Sequence, residues 1–275
     1  MPRAEEALPL RHAVALGLLQ GPAELLPISS SAHTSLLPWL LGWPYAQLEG
    51  RSRKSFEVAL HAGAALALAV EMRDELALAA RALDRRGVFV LALSLAPAAL
   101  AGYALRGPIE RRLGGPGSIA AGLTAGAIAM TLADANGQRR ARADAGARDG
   151  LALGLAQAAA LIPGVSRHGA TLTAARSRGF APAGAEALSW ETGLPVILAA
   201  VALEARRLRG GAAPGTRPAA LAAGGASAFA STLASAGAMR GRRVGGRALA
   251  PYAAYRMLLA GVVVLARGRR RRRGR

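Results

Sequence analysis

Long apolar runs alternate with short arginine-rich segments along this chain, and several runs stay free of charge for the length of a bilayer crossing. Residues 88–105, 113–133 and 218–239 contain no Asp, Glu, Lys or Arg. A membrane-crossing helix needs about 20 predominantly apolar residues, so each run predicts a span. Further helices are predicted over 56–70, 185–203 and 248–266, with a charged interfacial helix over 73–86 and a loop over 44–54. A basic turn with Arg106, Arg111 and Arg112 is expected between the spans at 88–105 and 113–133. The expected fold is an all-α integral membrane protein, a polytopic helix bundle.

Two apolar stretches are interrupted. Residues 11–26 read as helix until Pro27, and a second short helix is expected from Ser29 or Ser30 to Trp43. Residues 150–162 read as helix, break at Pro163-Gly164, and restart at Ser166. No piece spans comfortably alone, so two re-entrant (broken) helix pairs are expected. Such backbone is tolerated at membrane depth only where protein buries it or it lines a wet cavity.

The two stretches also repeat each other. Residues 20–34 are QGPAELLPISSSAHT and residues 157–171 are QAAALIPGVSRHGAT, with Gly17-Leu-Leu-Gln20 paralleling Gly154-Leu-Ala-Gln157. Ser55-Phe56-Glu57 parallels Ser189-Trp190-Glu191. Paired, Pro-interrupted segments in corresponding halves point to inverted-topology repeats with a midplane site between them. One membrane domain, 1–275, is therefore expected: half one at about 11–135, a polar linker at 136–149, half two at about 150–266, and a basic tail at 267–275.

Composition narrows the class. The chain has 275 residues, 52% of them hydrophobic, and no cysteine, so disulfide and thiol chemistry are excluded. The net charge of +19 invites a nucleic-acid reading. The basic residues, however, sit between apolar runs as membrane loops do, and they line no single helix face. No nucleic-acid partner is expected. The arginine-rich end fits a cytoplasmic headgroup contact. Glu5 and Glu6 precede the first apolar run and Glu24 interrupts it, which is unlike a cleavable signal.

The polar residues in the broken stretches could handle phosphate. Gln20 and Glu24 are four apart and share a helix face. Ser29 or Ser30 can cap the helix after Pro27, and His33 follows within a turn. Ser166 plays the capping part in the second stretch, where Arg167 and Thr171 share a face. A capped helix N-terminus is a ready anion site, and a guanidinium grips phosphate oxygens bidentately. Glu24, helped by Gln20, could hold a hard divalent cation. A charge at the centre of a membrane helix costs about 2.5–3.5 kcal/mol, so Glu24, Arg167 and Arg256 need partners. His61 reads as a packing or hydrogen-bonding residue, and His12 as surface.

With these residues in view, the chain resembles the undecaprenyl-diphosphate phosphatases, the BacA/UppP bacitracin-resistance family of bacterial inner membranes. The family motif E/Q-x-x-x-E running into L-P-[V/I]-S-S-x-x-H matches Gln20 through His33, and P-G-x-S-R-x-x-x-T matches Pro163 through Thr171. Weaker echoes are Phe56-Glu57-Val58, the segment from Ser189 to Pro195, and Pro251 through Arg256. The resemblance covers nearly the whole chain in order.

The resemblance implies a multi-pass inner-membrane enzyme that removes the terminal phosphate of undecaprenyl diphosphate, restoring the carrier used in peptidoglycan synthesis. It implies Glu24 as the essential acid with Gln20 its partner, Ser30 as nucleophile, His33 as the motif histidine and Arg167 as the phosphate-binding arginine. Ser29, Ser166, Thr171 and His168 would complete substrate binding. A divalent cation, magnesium or calcium, is expected at Glu24 and Gln20. The expected partners are the polyprenyl diphosphate and membrane lipids, with a homodimer compatible. His33 or water in place of Ser30 as nucleophile stays open, and a carrier of polyprenyl phosphates is the alternative function. The chain departs from the family pattern at Gln20, often glutamate; at Ala32, often glycine; at His168, usually serine; and at Glu191, normally apolar.

Overall fold

A computed structural model describes residues 8–48, 50–135, 137, 139–208, 217–239 and 248–273. The chain is all-α and polytopic. Its helices are α1 (Leu10–Leu25), α2 (Ser30–Leu41), α3 (Gly50–Glu71), α4 (Arg73–Arg81), α5 (Arg85–Leu113), α6 (Pro116–Asp134), α7 (Ala147–Ala159), α8 (Arg167–Ser177), α9 (Pro182–Leu208), α10 (Pro218–Met239) and α11 (Ala250–Arg273). Four helices are long and apolar enough to cross a bilayer: α5, α6, α9 and α10. Taking α3 and α4 together gives a fifth. Only 17% of the most apolar stretch of α5 is buried by protein. Leu100 and Tyr103 on α5 and Leu258 on α11 are exposed, as side chains facing lipid are.

Several boundaries move from the sequence expectation. Helix α5 runs on through Pro97, Pro108 and the expected basic turn, and the break comes at Gly114-Gly115. Asp84 caps its start by accepting from the Gly87 N–H at 2.7 Å. Helix α11 continues to Arg273, so the arginines after 266 extend a helix; residues 274–275 lie outside the described residues. Cations in a last turn are favoured by the helix dipole. The interfacial helix ends at Arg81, and the expected 44–54 loop holds a short 3-10 turn before α3 begins at Gly50. Most of the expected Gly/Pro/Arg loop before α10 lies outside the described residues.

Two compact units are present. In the first, α10 packs along α1 and α3 over a core of Leu16, Tyr45, Phe56, Leu60 and Ala228. The contact depends on small residues. A Cβ on Gly17 would strike Gly224 and Ser227, and one on Gly63 would strike Gly225. Close backbone approach of this kind drives helix association where lipid offers no hydrophobic force.

In the second unit α7 packs along α5, α11 along α6, and α8 against both α6 and α7. Its core holds Met130, Leu153, Leu172, Phe180, Leu188 and Leu249. The first break, Leu26–Ala32, belongs to this unit. The compact units therefore cut across the sequence repeat: α10 of the second half packs on α1 of the first, and α5 of the first packs on α7 of the second.

A polar network closes the second unit, and its central carboxylate, Asp149, lies outside the candidate spans. Asp149, on the first turn of α7, accepts from Arg140 Nη2 at 2.7 Å, Arg178 Nε at 2.7 Å and the Gly146 N–H at 2.9 Å. Burial alone would raise the Asp149 carboxyl, but the bonds from Arg140 and Arg178 outweigh it and hold the group well below the usual carboxylate range. Glu191, the unexpected charge of α9, is paired with Arg142. Asp134 accepts from Arg176 at 2.9 Å and from the Ala250 N–H at 3.1 Å, which caps α11.

Candidate active site

The first break begins where α1 ends at Leu25, and a turn follows in which the Ile28 N–H donates to the Leu26 carbonyl at 2.8 Å. Ser29 then takes a left-handed conformation, φ 77°, the only non-glycine to do so among the described residues. That region costs an L-residue about 1–2 kcal/mol. Ser29 is buried, and its hydroxyl accepts from the Ala32 N–H at 3.4 Å and lies 3.3 Å from the Ser31 hydroxyl. Ser29, not Ser30, is thus the cap of α2. Ser30 is the first helical residue and is half-buried.

The second break has the same plan with an easier backbone. Its left-handed residue is Gly164, φ 95°, where a Cβ would run into the Ile119 carbonyl. Ser166 caps α8 by accepting from the Gly169 N–H at 3.1 Å. Arg167 opens the helix, and its guanidinium lies 5.4 Å from the centre of the Trp190 ring. One turn along α9, a Cβ on Gly193 would overlap that guanidinium. His168 stacks on the same Trp190 at 4.4 Å, and its Nδ1 is 2.9 Å from the Ser189 hydroxyl. Ser189 also bonds the Thr171 hydroxyl. Ser166, Arg167, His168 and Thr171 are thus brought together, in the unit that also holds Ser29 and Ser30.

Gln20, Glu24 and His33 belong to the other unit. Gln20 Nε2 donates to Glu24 Oε2 at 3.3 Å and lies 3.2 Å from His61 Nδ1. His61 Nδ1 is 3.8 Å from the Glu24 carboxylate. Gln20, Glu24 and His33 are all buried. Helix α1 carries Pro22, which has no amide hydrogen to give its own ladder. Beside it the Ser231 hydroxyl of α10 accepts from the Gly21 N–H at 3.2 Å and donates to the Gly17 carbonyl at 2.9 Å. A side chain set into the ladder in this way fixes the local bend of a helix.

Two chemistries follow. A capped helix N-terminus with a braced guanidinium on its first residue binds an oxyanion. Among the described residues, no group of three or more His, Cys, Asp or Glu could hold a metal. The Glu24 carboxylate does have beside it the Gln20 side chain, whose Oε1 is buried without a hydrogen-bond partner. One carboxylate and one amide oxygen suit a hard cation that draws its remaining ligands from water and phosphate.

Sequence reasoning passed over Ser189, Trp190, Gly193 and Ser231 as site neighbours. The repeated Ser189-Trp190-Glu191 triplet was a signal for the first two. Nothing local marked Ser231 among the other small residues of α10. His61 is a hydrogen-bonding residue as expected, whereas His12 is stacked on Trp43 at 4.0 Å and only partly exposed.

Apolar spans, with two Pro-interrupted helices that carry hydroxyls, an acid and an arginine, define a polytopic membrane protein equipped for an anionic headgroup. The chain belongs to the family whose model is described as bacitracin resistance protein BacA, which matches residues 13–262. A protein of Geobacter sulfurreducens named undecaprenyl-diphosphatase is 40% identical over 268 residues, covering 93% of this chain and 97% of that protein. Another of that name, from Pelobacter propionicus, is 39% identical over 269 residues, covering 93% and 96%. One from Thermomicrobium roseum is 39% identical over 219 residues, covering 72% and 76%.

Proposed function

We propose that this chain is a multi-pass phosphatase of the bacterial inner membrane that hydrolyses undecaprenyl diphosphate to undecaprenyl phosphate and inorganic phosphate. It thereby recycles the lipid carrier for peptidoglycan synthesis and confers bacitracin resistance. The geometric observation that carries the reading is Arg167, opening a serine-capped helix and braced by Trp190. Kinship over nearly the full chain with proteins named for this activity selects the substrate. The carrier alternative, which broken helices alone admit, is not favoured by that kinship.

The residues divide the work. Arg167, with the amides of α8 and the hydroxyls of Ser166 and Thr171, holds the terminal phosphate, and Ser29 and His168 complete its surroundings. Ser30 attacks the terminal phosphorus while the bond from phosphorus to the bridging oxygen breaks, and undecaprenyl phosphate leaves with the electron pair. His33, one helical turn along α2, takes the hydroxyl proton. Water then attacks the phosphoserine, releases phosphate and restores the Ser30 hydroxyl. Glu24 and Gln20 would hold a divalent cation, magnesium or calcium, which supplies charge neutralisation at the phosphate oxygens when bound.

The test is phosphate release from undecaprenyl diphosphate labelled on its terminal phosphate, by the purified chain in detergent, with and without chelator, followed by denaturation at neutral pH, which preserves both phosphoserine and phosphohistidine. The proposal expects release that chelation suppresses, and a phosphate trapped on Ser30. Headgroup binding without any release would instead favour the carrier. Release with the label on His33, or with no trapped label, would move the nucleophile to that histidine or to water.

A further inference from the structure

Arg256 lies in the second turn of α11 and is 1% exposed, the largest fully buried side chain among the described residues. Among those residues no carboxylate pairs with it. All four of its hydrogen bonds go to backbone carbonyls. Nε donates to Leu123 at 3.2 Å, Nη2 to Gly122 at 3.3 Å and to Gly164 at 3.0 Å, and Nη1 to Pro27 at 3.2 Å. One guanidinium thus joins α6, the first break and the second break.

Stability alone does not account for this residue. Replacing buried charge with well-packed apolar side chains is often neutral or stabilising. What a guanidinium offers is a planar fork with donors in several fixed directions, which lysine cannot match. The Pro27 and Gly164 carbonyls sit where helices are interrupted and lack regular ladder partners, and in lipid such groups must be satisfied by protein. The surroundings are shaped to the fork. A Cβ on Gly126 would overlap Nη2, and one on Gly169 would stand 3.1 Å from Nη1. Two and three residues after Pro27 come Ser29 and Ser30; two and three after Gly164 come Ser166 and Arg167.

We infer that Arg256 is a positioning residue for the phosphatase reaction, clamping the two breaks so that the Ser30 hydroxyl and the Arg167 guanidinium keep a fixed separation. The inference rests on the phosphatase reading, and its test separates the two. Wild-type chain is assayed first, and absence of phosphate release there sinks the reading itself. The clamp is then read in two ways. Because the chain has no cysteine, Ile28→Cys and Val165→Cys can carry a single pair of spin labels across the breaks, and their dipolar broadening reports the separation with no need of activity.

Arg256→Lys keeps the charge and loses the fork. The clamp predicts a fall in kcat of about 10²-fold, as misplacement by about an ångström causes, with KM changed less than about threefold and the broadening diminished. Gly126→Ala, which crowds the guanidinium from outside, shifts both readouts in the same direction. It decides the matter if Arg256→Lys does not elute as a folded species. A folded variant that keeps wild-type kcat overturns the inference. So does one that loses kcat while the broadening stays as in wild type.

Discussion

The hydroxyl of Ser231 bridges the amide of Gly21 and the carbonyl of Gly17, so that a residue of α10 is set into the backbone of α1 one position before Pro22. Gln20 lies within this bridged turn, and Glu24 follows three residues after it ends. The polar pair therefore takes its place from a helix belonging to the other half of the sequence repeat. Ser231→Ala removes the hydroxyl that bonds both backbone groups, at about 0.5–1.5 kcal/mol for each hydrogen bond lost. Thermal unfolding in detergent should show that loss, and the cation concentration needed for half-maximal activity should rise.

Ser29 presents the opposite balance. Its left-handed backbone costs about 1–2 kcal/mol, while exchanging a serine cap for glycine costs only a few tenths. The greater freedom of glycine in the unfolded chain offsets part of the gain. Ser29→Gly should therefore be about 0.5–1 kcal/mol more stable and yet turn over about tenfold more slowly, the cost of about one lost hydrogen bond at the site. Stability and activity moving in the same direction would contradict a strained, functional serine.

Gly193→Ala places a methyl group where the Arg167 guanidinium lies. The guanidinium is the far end of a flexible side chain and can swing aside, so stability should change by less than about 1 kcal/mol. The catalytic cost is larger, with kcat/KM expected to fall about 10²-fold. Gly237→Ala, whose methyl would meet open space, serves as the control and should match wild type in steady-state assays.

Asp149 gives the fold an acid limit. Burial works to raise its carboxyl, and the bonds from Arg140 and Arg178 overcome that and depress it. A depressed carboxylate contributes stability that is fully present above the unfolded value near pH 4 and is lost as pH falls toward the folded one. Unfolding temperature should therefore drop as pH is lowered below about 4. Asp149→Asn should be less stable at neutral pH and flatter across the acid range, which a series of melts would check.

Pro27, Pro163 and the polar residues beside them made the two helix breaks legible in the sequence, because proline stops a ladder and serine caps the next helix. The charge-free runs likewise marked α6 and α10. The course of α5 was not legible. Pro97 is accommodated against Gly154 of α7, and Gln157 donates to the Ser94 carbonyl at 2.9 Å one turn earlier. The contacts around this proline come from α7, distant in sequence. The same bond explains why Gln20 and Gln157, equivalent in the repeat, differ in use: one lies beside Glu24, the other satisfies a helix carbonyl. Ser189 and Arg256 were visible as residues, the second as a costly charge, but their partners depend on tertiary packing that no local pattern encodes.

The proposed function requires both the guanidinium of Arg167 and the carboxylate of Glu24 for phosphate release. Phosphate release from undecaprenyl diphosphate by purified Arg167→Ala and Glu24→Ala, beside wild type, tests it most directly. Losing one preorganised charge-stabilising group typically costs about 10²–10³ in rate, and a fall of that size is predicted for each variant while both remain folded. Either variant retaining most of the wild-type rate would contradict the account.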